Sequence, residues 1–151
     1  SNYNCEHVVP QSWFNKKHPM KADLHHLFTE EIQCNGIRGN SELTPVNGGE
    51  EIPACGGRDT SGNRVEPHAG KGEVARATLY FVTRHPGYIG DGGETNTADI
   101  EQLIKWSKEY PVTDYERHRN DKIQDVQGNR NPFIDFPELV DKVDFSQGFK
   151  G

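Results

Sequence analysis

Glu6 and His7 stand side by side in Cys5-Glu6-His7-Val8-Val9-Pro10, and Asn35 follows in Cys34-Asn35-Gly36-Ile37-Arg38-Gly39-Asn40. Glu6 and Asn35 offer two oxygen ligands and no soft ones. That set suits Mg²⁺, a hard ion that keeps several waters and uses few protein groups besides substrate phosphate oxygens. Zinc would ask for sulfur or imidazole. His7 is then left as a general base, because an ordinary imidazole, with a pKa of about 6.5, is largely neutral at pH 7. A carboxylate, an amide oxygen and a base form a kit for cutting phosphodiesters, in which the ion neutralises charge on the phosphate.

Such a kit works only if local elements bring its parts together. The apolar, β-branched run Glu6–Val9 reads as a strand that stops, or lies at an edge, at Pro10. Asn15-Lys16-Lys17-His18-Pro19 reads as a solvated turn, and Asp23–Phe28 as the returning strand, with Leu24 and His25 on opposite faces. Thr29, followed by Glu30 and Glu31, has the makings of an N-cap, which places Asn35 one to two turns into a helix. One tension arises. Adjacent strand residues point to opposite faces, yet Glu6 and His7 must both reach a substrate; a twist or bulge at the strand end would reconcile them.

At these residues the chain resembles the endonuclease I family of ββα-metal, or His-Me finger, nucleases. The likeness lies in five ordered segments: CEHVVPQSWF (5–14), DLHHL (23–27), CNGIRGN (34–40), KGEVARATLYF (71–81) and QGNRNPFIDFPEL (127–139). The resemblance implies that His7 activates the attacking water and that Glu6 and Asn35 hold the divalent ion, Mg²⁺ with Mn²⁺ or Ca²⁺ as substitutes. It also implies 5′-phosphate and 3′-hydroxyl ends, little sequence preference, and DNA, with RNA as a second candidate, as substrate. Some members carry another acid two positions before the Asp of the second strand. Here that position is Lys21, so no third carboxylate ligand is assigned.

The net charge of −6 runs against a nucleic-acid partner, since phosphate binding draws on Lys and Arg. Local charge can prevail, because salt screens surface charges beyond ~8 Å. Lys16 and Lys17, with His18 and Lys21, form one basic patch, and Arg117, His118, Arg119 and Lys122 a second. Arg38, Arg76 and Arg130 join Lys16 and Lys17 as candidate phosphate contacts, each weighed against an ordinary surface or structural role. Of His25 and His26, one is expected to face the site and the other the core or solvent. His68, His85 and His118 have no partner nearby in sequence. Trp13 and Phe14 are expected to pack the hairpin rather than stack on bases.

Three cysteines leave three arrangements open. A Cys34–Cys55 bridge is preferred, Cys5–Cys34 competes, and a structural Zn²⁺ on cysteines is the third. A bridge favours an extracellular or periplasmic setting. No uninterrupted apolar core of a signal peptide lies in residues 1–20, so the chain reads as a mature or truncated fragment. No run approaches the ~20 apolar residues of a membrane span.

With 151 residues, 32% hydrophobic, 16 Gly and 9 Pro, the chain reads as one loop-rich domain and a monomer. Its ββα core covers about 5–40 and its helical remainder about 70–140. Residues 41–70 read as a long excursion with hairpin character. A helix over Gly72–His85 follows from Val74, Ala77, Thr78, Phe81 and Val82 on one stripe. Two more run over Thr97–Trp106, with Ile100, Leu103 and Ile104 inward, and Thr113–Val126, with Tyr115, Ile123 and Val126 as contacts. Gln127–Pro132 reads as a turn followed by a latch of Phe133, Ile134 and Phe136. The fold class expected is α+β: a small antiparallel hairpin plus helix embedded in a mainly helical, loop-rich domain. A non-catalytic, zinc-stapled binding domain for nucleic acid or protein is the alternative function.

Overall fold

In the computed structural model, which describes residues 2–90, 94–95 and 97–150, β1 (Tyr3–His7) and β2 (Leu27–Glu31) pair antiparallel. Glu6 lies opposite Phe28 and His7 opposite Leu27. Both strands are displaced from their expected bounds. Val8 and Val9 leave the ladder and enter the core. The Asp23 carboxylate accepts the backbone N–H of His25 at 3.0 Å, so Leu24–His26 closes as a 3₁₀ turn instead of extending. Thr29 therefore sits mid-strand opposite Cys5, and α1 (Ile32–Arg38) begins after Glu31 with no side-chain cap.

The Ile32 N–H donates to Asn2 and the Val8 N–H to His26, both at 2.9 Å, so even-numbered residues of β1 carry the ladder. The carbonyls of Cys5 and His7 face the outer edge. An unpaired strand edge needs covering, and α1 supplies the cover.

Residues 41–70 form a second sheet rather than a simple hairpin. β3 (Glu42–Leu43), β4 (Glu50–Ile52), β5 (Gly56–Arg58) and β6 (Arg64–Pro67) order as β3-β6-β5-β4, with β3 parallel to β6 and the other pairs antiparallel. Gly56, at φ +148°, is required there: a Cβ would stand 2.0 Å from the Glu66 carbonyl oxygen. A disulfide from Cys34 on α1 to Cys55, just before β5, ties the two sheets' segments together. In the chain-entropy picture a loop of this size stabilises by roughly 3 kcal/mol.

α2 (Lys71–Arg84) is the spine of the core, packed against α3 (Thr97–Glu109), α5 (Pro132–Asp135) and the Leu24–His26 turn. Its burial is wider than one stripe: Ala75, Leu79 and Tyr80 are as enclosed as Ala77, Phe81 and Val82. Phe14 and Val9 join this cluster, and Trp13 packs on it. α4 (Asp114–Gln127) starts at Thr113, whose hydroxyl accepts from the Glu116 N–H at 3.2 Å, and ends at Gly128 with φ +92°. It buries Glu116, Asn120 and Ile123, whereas Tyr115 and Val126, expected as contacts, are exposed. Phe133 and Ile134 dock as a latch, but Phe136 stays 56% exposed. The fold is thus α+β. Among the described residues no helix is long and apolar enough to cross a membrane.

Candidate active site

Asn35 and Arg38, one turn apart on α1, reach the outer edge of β1 together. The Asn35 amide nitrogen donates to Asn4 Oδ1 at 2.6 Å and to the Cys5 carbonyl at 3.3 Å. With its nitrogen so committed, the amide keeps Oδ1 as an outward acceptor. Arg38 Nη1 donates to Glu6 Oε1 and, at 3.1 Å, to the His7 carbonyl. Its Nη2 donates to the Val8 carbonyl and its Nε to that of Ser41, both at 2.7 Å.

Glu6 shares a strand face with Asn4, about 6.6 Å along β1 at two-residue spacing. Burial pushes its carboxyl up to about 7; the Arg38 guanidinium opposes that rise, and the Glu30 carboxyl within hydrogen-bonding reach adds to it. Among the described residues no three His, Cys, Asp or Glu side chains cluster to hold a metal. Glu6 and Asn35 could each offer an oxygen to an ion here, with the Glu30 carboxyl beside Glu6, and an all-oxygen donor set fits Mg²⁺. A cysteine-zinc staple does not fit, since Cys34 and Cys55 are bonded to each other and Cys5 alone is free.

The register runs unbroken through His7, so no bulge reconciles Glu6 with His7, and the two side chains leave opposite faces. What they share is the end of the strand. The His7 Nε2 lies 2.9 Å from the Lys21 carbonyl, which can only accept, so Nε2 is the donor there and the neutral ring has its lone pair on Nδ1. The ring also stands edge-on to His26, with centroids 5.5 Å apart. Both His25 and His26 are buried, against the expectation that one would face the site. Their Nε2 atoms meet the carbonyls of Asn129 and Met20, and burial lowers both pKa values, that of His26 to about 4. Neutral, they form the packed floor beneath His7.

Asp23 anchors this floor. It accepts from Tyr80 Oη at 2.6 Å, His85 Nε2 at 2.7 Å and Gln127 Nε2 at 2.8 Å, besides its turn with His25. His85, which has no partner near it in sequence, thus has one in space. Burial acts to raise the Asp23 pKa, yet the hydrogen bonds from His85, Tyr80, Gln127 and His25 outweigh it and hold the carboxylate well below the usual range. A depressed carboxylate pKa stabilises the fold above the unfolded value, about 3.9, and that contribution is lost as pH falls through the folded value. Asp23→Asn should therefore lower stability by roughly 3 kcal/mol at pH 7, with the gap to the parent narrowing below about pH 4. Urea melts across that range test this; a gap that is unchanged at pH 3 contradicts it.

The candidate phosphate contacts part ways. Lys16 and Lys17 are exposed after the 3₁₀ turn Gln11–Phe14, with Lys17 Nζ 5.9 Å from the Tyr88 ring centre. Arg38 is instead buried under the strand edge. Arg76, expected off the core stripe, is 1% exposed and forms a bidentate pair with Glu116, while also donating to the Ser107 and Tyr110 carbonyls. Arg130 is held by both oxygens of Asp135 at 2.8 Å, and by Asp121 and Gln124. Arg76 is therefore closed to a phosphate, whereas Arg130 is partly exposed and already paired. In the second basic patch, Arg119 turns inward: Nη2 donates to the Leu24 and Leu27 carbonyls and the guanidinium lies over Phe28 at 3.8 Å. Arg84, not singled out by its sequence context, is exposed and lines a cavity of about 670 Å³ with His18, Asp23, His85 and Gln127. Asn4 and Glu30 were also unmarked; only knowledge of the strand pairing puts them opposite each other beside Glu6.

The sequence model of the Endonuclease I family matches residues 1–138. An extracellular ribonuclease of Bacillus amyloliquefaciens is 36% identical over 157 aligned residues, covering 94% of this chain and 54% of that protein. One from Bacillus subtilis (strain 168) is 35% identical with the same coverage. A periplasmic deoxyribonuclease of Aeromonas hydrophila is 34% identical, over 86% of this chain and 62% of that protein. The chain spans about half the length of the two Bacillus relatives.

Proposed function

This chain belongs to the Endonuclease I family, and on that premise we propose that it is a metal-dependent endonuclease that hydrolyses DNA and RNA with little sequence preference. The observation that supports this reading most is the fixed tautomer of His7, whose Lys21 bond leaves Nδ1 to take a proton. In the proposed reaction Nδ1 removes a proton from water as the water oxygen attacks phosphorus. The bond from phosphorus to the 3′ oxygen breaks and that oxygen takes a proton from solvent water, leaving a 5′-phosphate and a 3′-hydroxyl. Glu6 and Asn35 would hold the ion; Mg²⁺, or Mn²⁺ or Ca²⁺ in its place, would neutralise charge on the phosphate. Lys16 and Lys17 are exposed basic groups that would meet flanking phosphates. Relatives named as ribonucleases and as deoxyribonucleases support both substrates, and their extracellular or periplasmic designations, with the disulfide, support a secreted protein.

Supercoiled plasmid and single-stranded RNA provide the test. With Mg²⁺ both should be cut, and prior stripping with EDTA should stop cleavage until the ion is restored. Cutting that survives stripping would remove the metal from the mechanism. Absence of cutting on both substrates would leave a non-catalytic binding domain.

A further inference from the structure

We propose that Arg38 is the positioning residue that holds Glu6 to single-oxygen metal ligation, an inference that rests on the metal-dependent reading above. The guanidinium takes Glu6 Oε1 and also the carbonyls of His7 and Val8 and, at its Nε, that of Ser41. Four acceptors fix it with no freedom to swing, and at 4% exposure it cannot be drawn into solvent. One oxygen of Glu6 is thereby occupied on the protein side. The Glu30 carboxyl lies within hydrogen-bonding reach of the same carboxylate, so an ion would have to displace it to bind Glu6 through the oxygen that Arg38 leaves.

Two consequences separate this role from simple packing. Single-oxygen ligation keeps coordination positions for water and phosphate, which suits Mg²⁺ and Mn²⁺, whereas Ca²⁺ readily takes both oxygens of a carboxylate. The same side chain also pins the backbone of His7, so one residue sets both the ligand and the segment carrying the base. Arg38 touches no reacting atom in this scheme. Residues that orient metal ligands in this way typically change affinity by about 10- to 100-fold when altered.

Mn²⁺ binding measured by electron paramagnetic resonance, and Mg²⁺ and Ca²⁺ binding by calorimetry, on the whole chain without substrate, test the proposal. Arg38→Met should weaken Mn²⁺ and Mg²⁺ at least about 10-fold while Ca²⁺ weakens less, and Arg38→Lys should recover part of the loss. Thermal melts establish that each variant is folded at the assay temperature; should Arg38→Met not fold, Arg38→Lys alone decides. A folded variant that binds all three ions within twofold of the parent, with unchanged ion preference, overturns the Arg38 role. A parent that binds no Mn²⁺, and matches Glu6→Gln, overturns the metal reading and this inference with it.

Discussion

His7→Ala should lower phosphodiester cleavage by about 10²- to 10⁴-fold, the range typical of a lost general base. Mn²⁺ affinity and the melting temperature should stay close to those of the parent. The separation of effects follows from where the ring sits: it is half-buried, leaves the face opposite Glu6, and makes its one strong polar contact to the Lys21 carbonyl. Removing it leaves Glu6, Asn35 and Arg38 joined to the strand edge as before. Added imidazole should restore part of the rate, since the truncated side chain opens room for a diffusible base. Initial rates on plasmid, at saturating Mg²⁺, provide the measurement. A variant that cuts within tenfold of the parent would mean that another group takes the proton.

The largest expected effect on stability lies far from the chemistry, at the Arg76–Glu116 pair. Glu116→Ala should cost about 3–5 kcal/mol, because it leaves a buried guanidinium with carbonyl partners and no directly paired carboxylate, Glu73 acting only through its field. For a chain of this size the melting temperature should fall by about 6–20 °C. Replacing both partners, as in Arg76→Met with Glu116→Leu, should recover much of the loss, since the penalty comes from the orphaned charge more than from the missing attraction. Calorimetry or urea melts on the two variants decide it. A shift below 1 kcal/mol for Glu116→Ala would show that the remaining acceptors suffice for Arg76.

Local patterns were legible where one periodicity and one cap governed an element. α2 lies one residue from its expected start and end, and Thr113 and Gly128 bracket α4 where their chemistry suggests. The second strand was misplaced because Asp23 offers its carboxylate to the His25 N–H, a local competitor that converts an alternating stretch into a turn. Thr29 has the chemistry of a cap, yet pairing with Cys5 took it into the ladder. The first outcome was decided by a contact two residues long, the second by one that spans the hairpin.

Site residues divided along the same line. Glu6, His7 and Asn35 were conspicuous because their types suit a known chemistry, and α1 does bring Asn35 onto the edge of the strand that carries the other two. Charge alone gave no sign of how Arg38, Arg76 and Arg130 are paired. Each of these guanidiniums has a carboxylate partner, and that of Arg76 lies 40 residues away, so a single helix stripe gave no sign that a second face would be enclosed. His85 and Asp23, separated by 62 residues, were invisible as a pair for the same reason.

The crosslink beside Asn35 carries a further implication. α1 has only seven residues, too few to persist in water by itself, and its N-terminus lacks a side-chain cap. Cys34 fastens that short helix to the second sheet one position before the amide that faces β1. In a thiol-rich milieu that fastening would open, leaving the hydrogen bonds of Asn35 and Arg38 to β1 as the helix's ties to the hairpin. On the proposed reading, a thiol reductant should weaken the hold on the Asn35 segment more than it weakens the helical core.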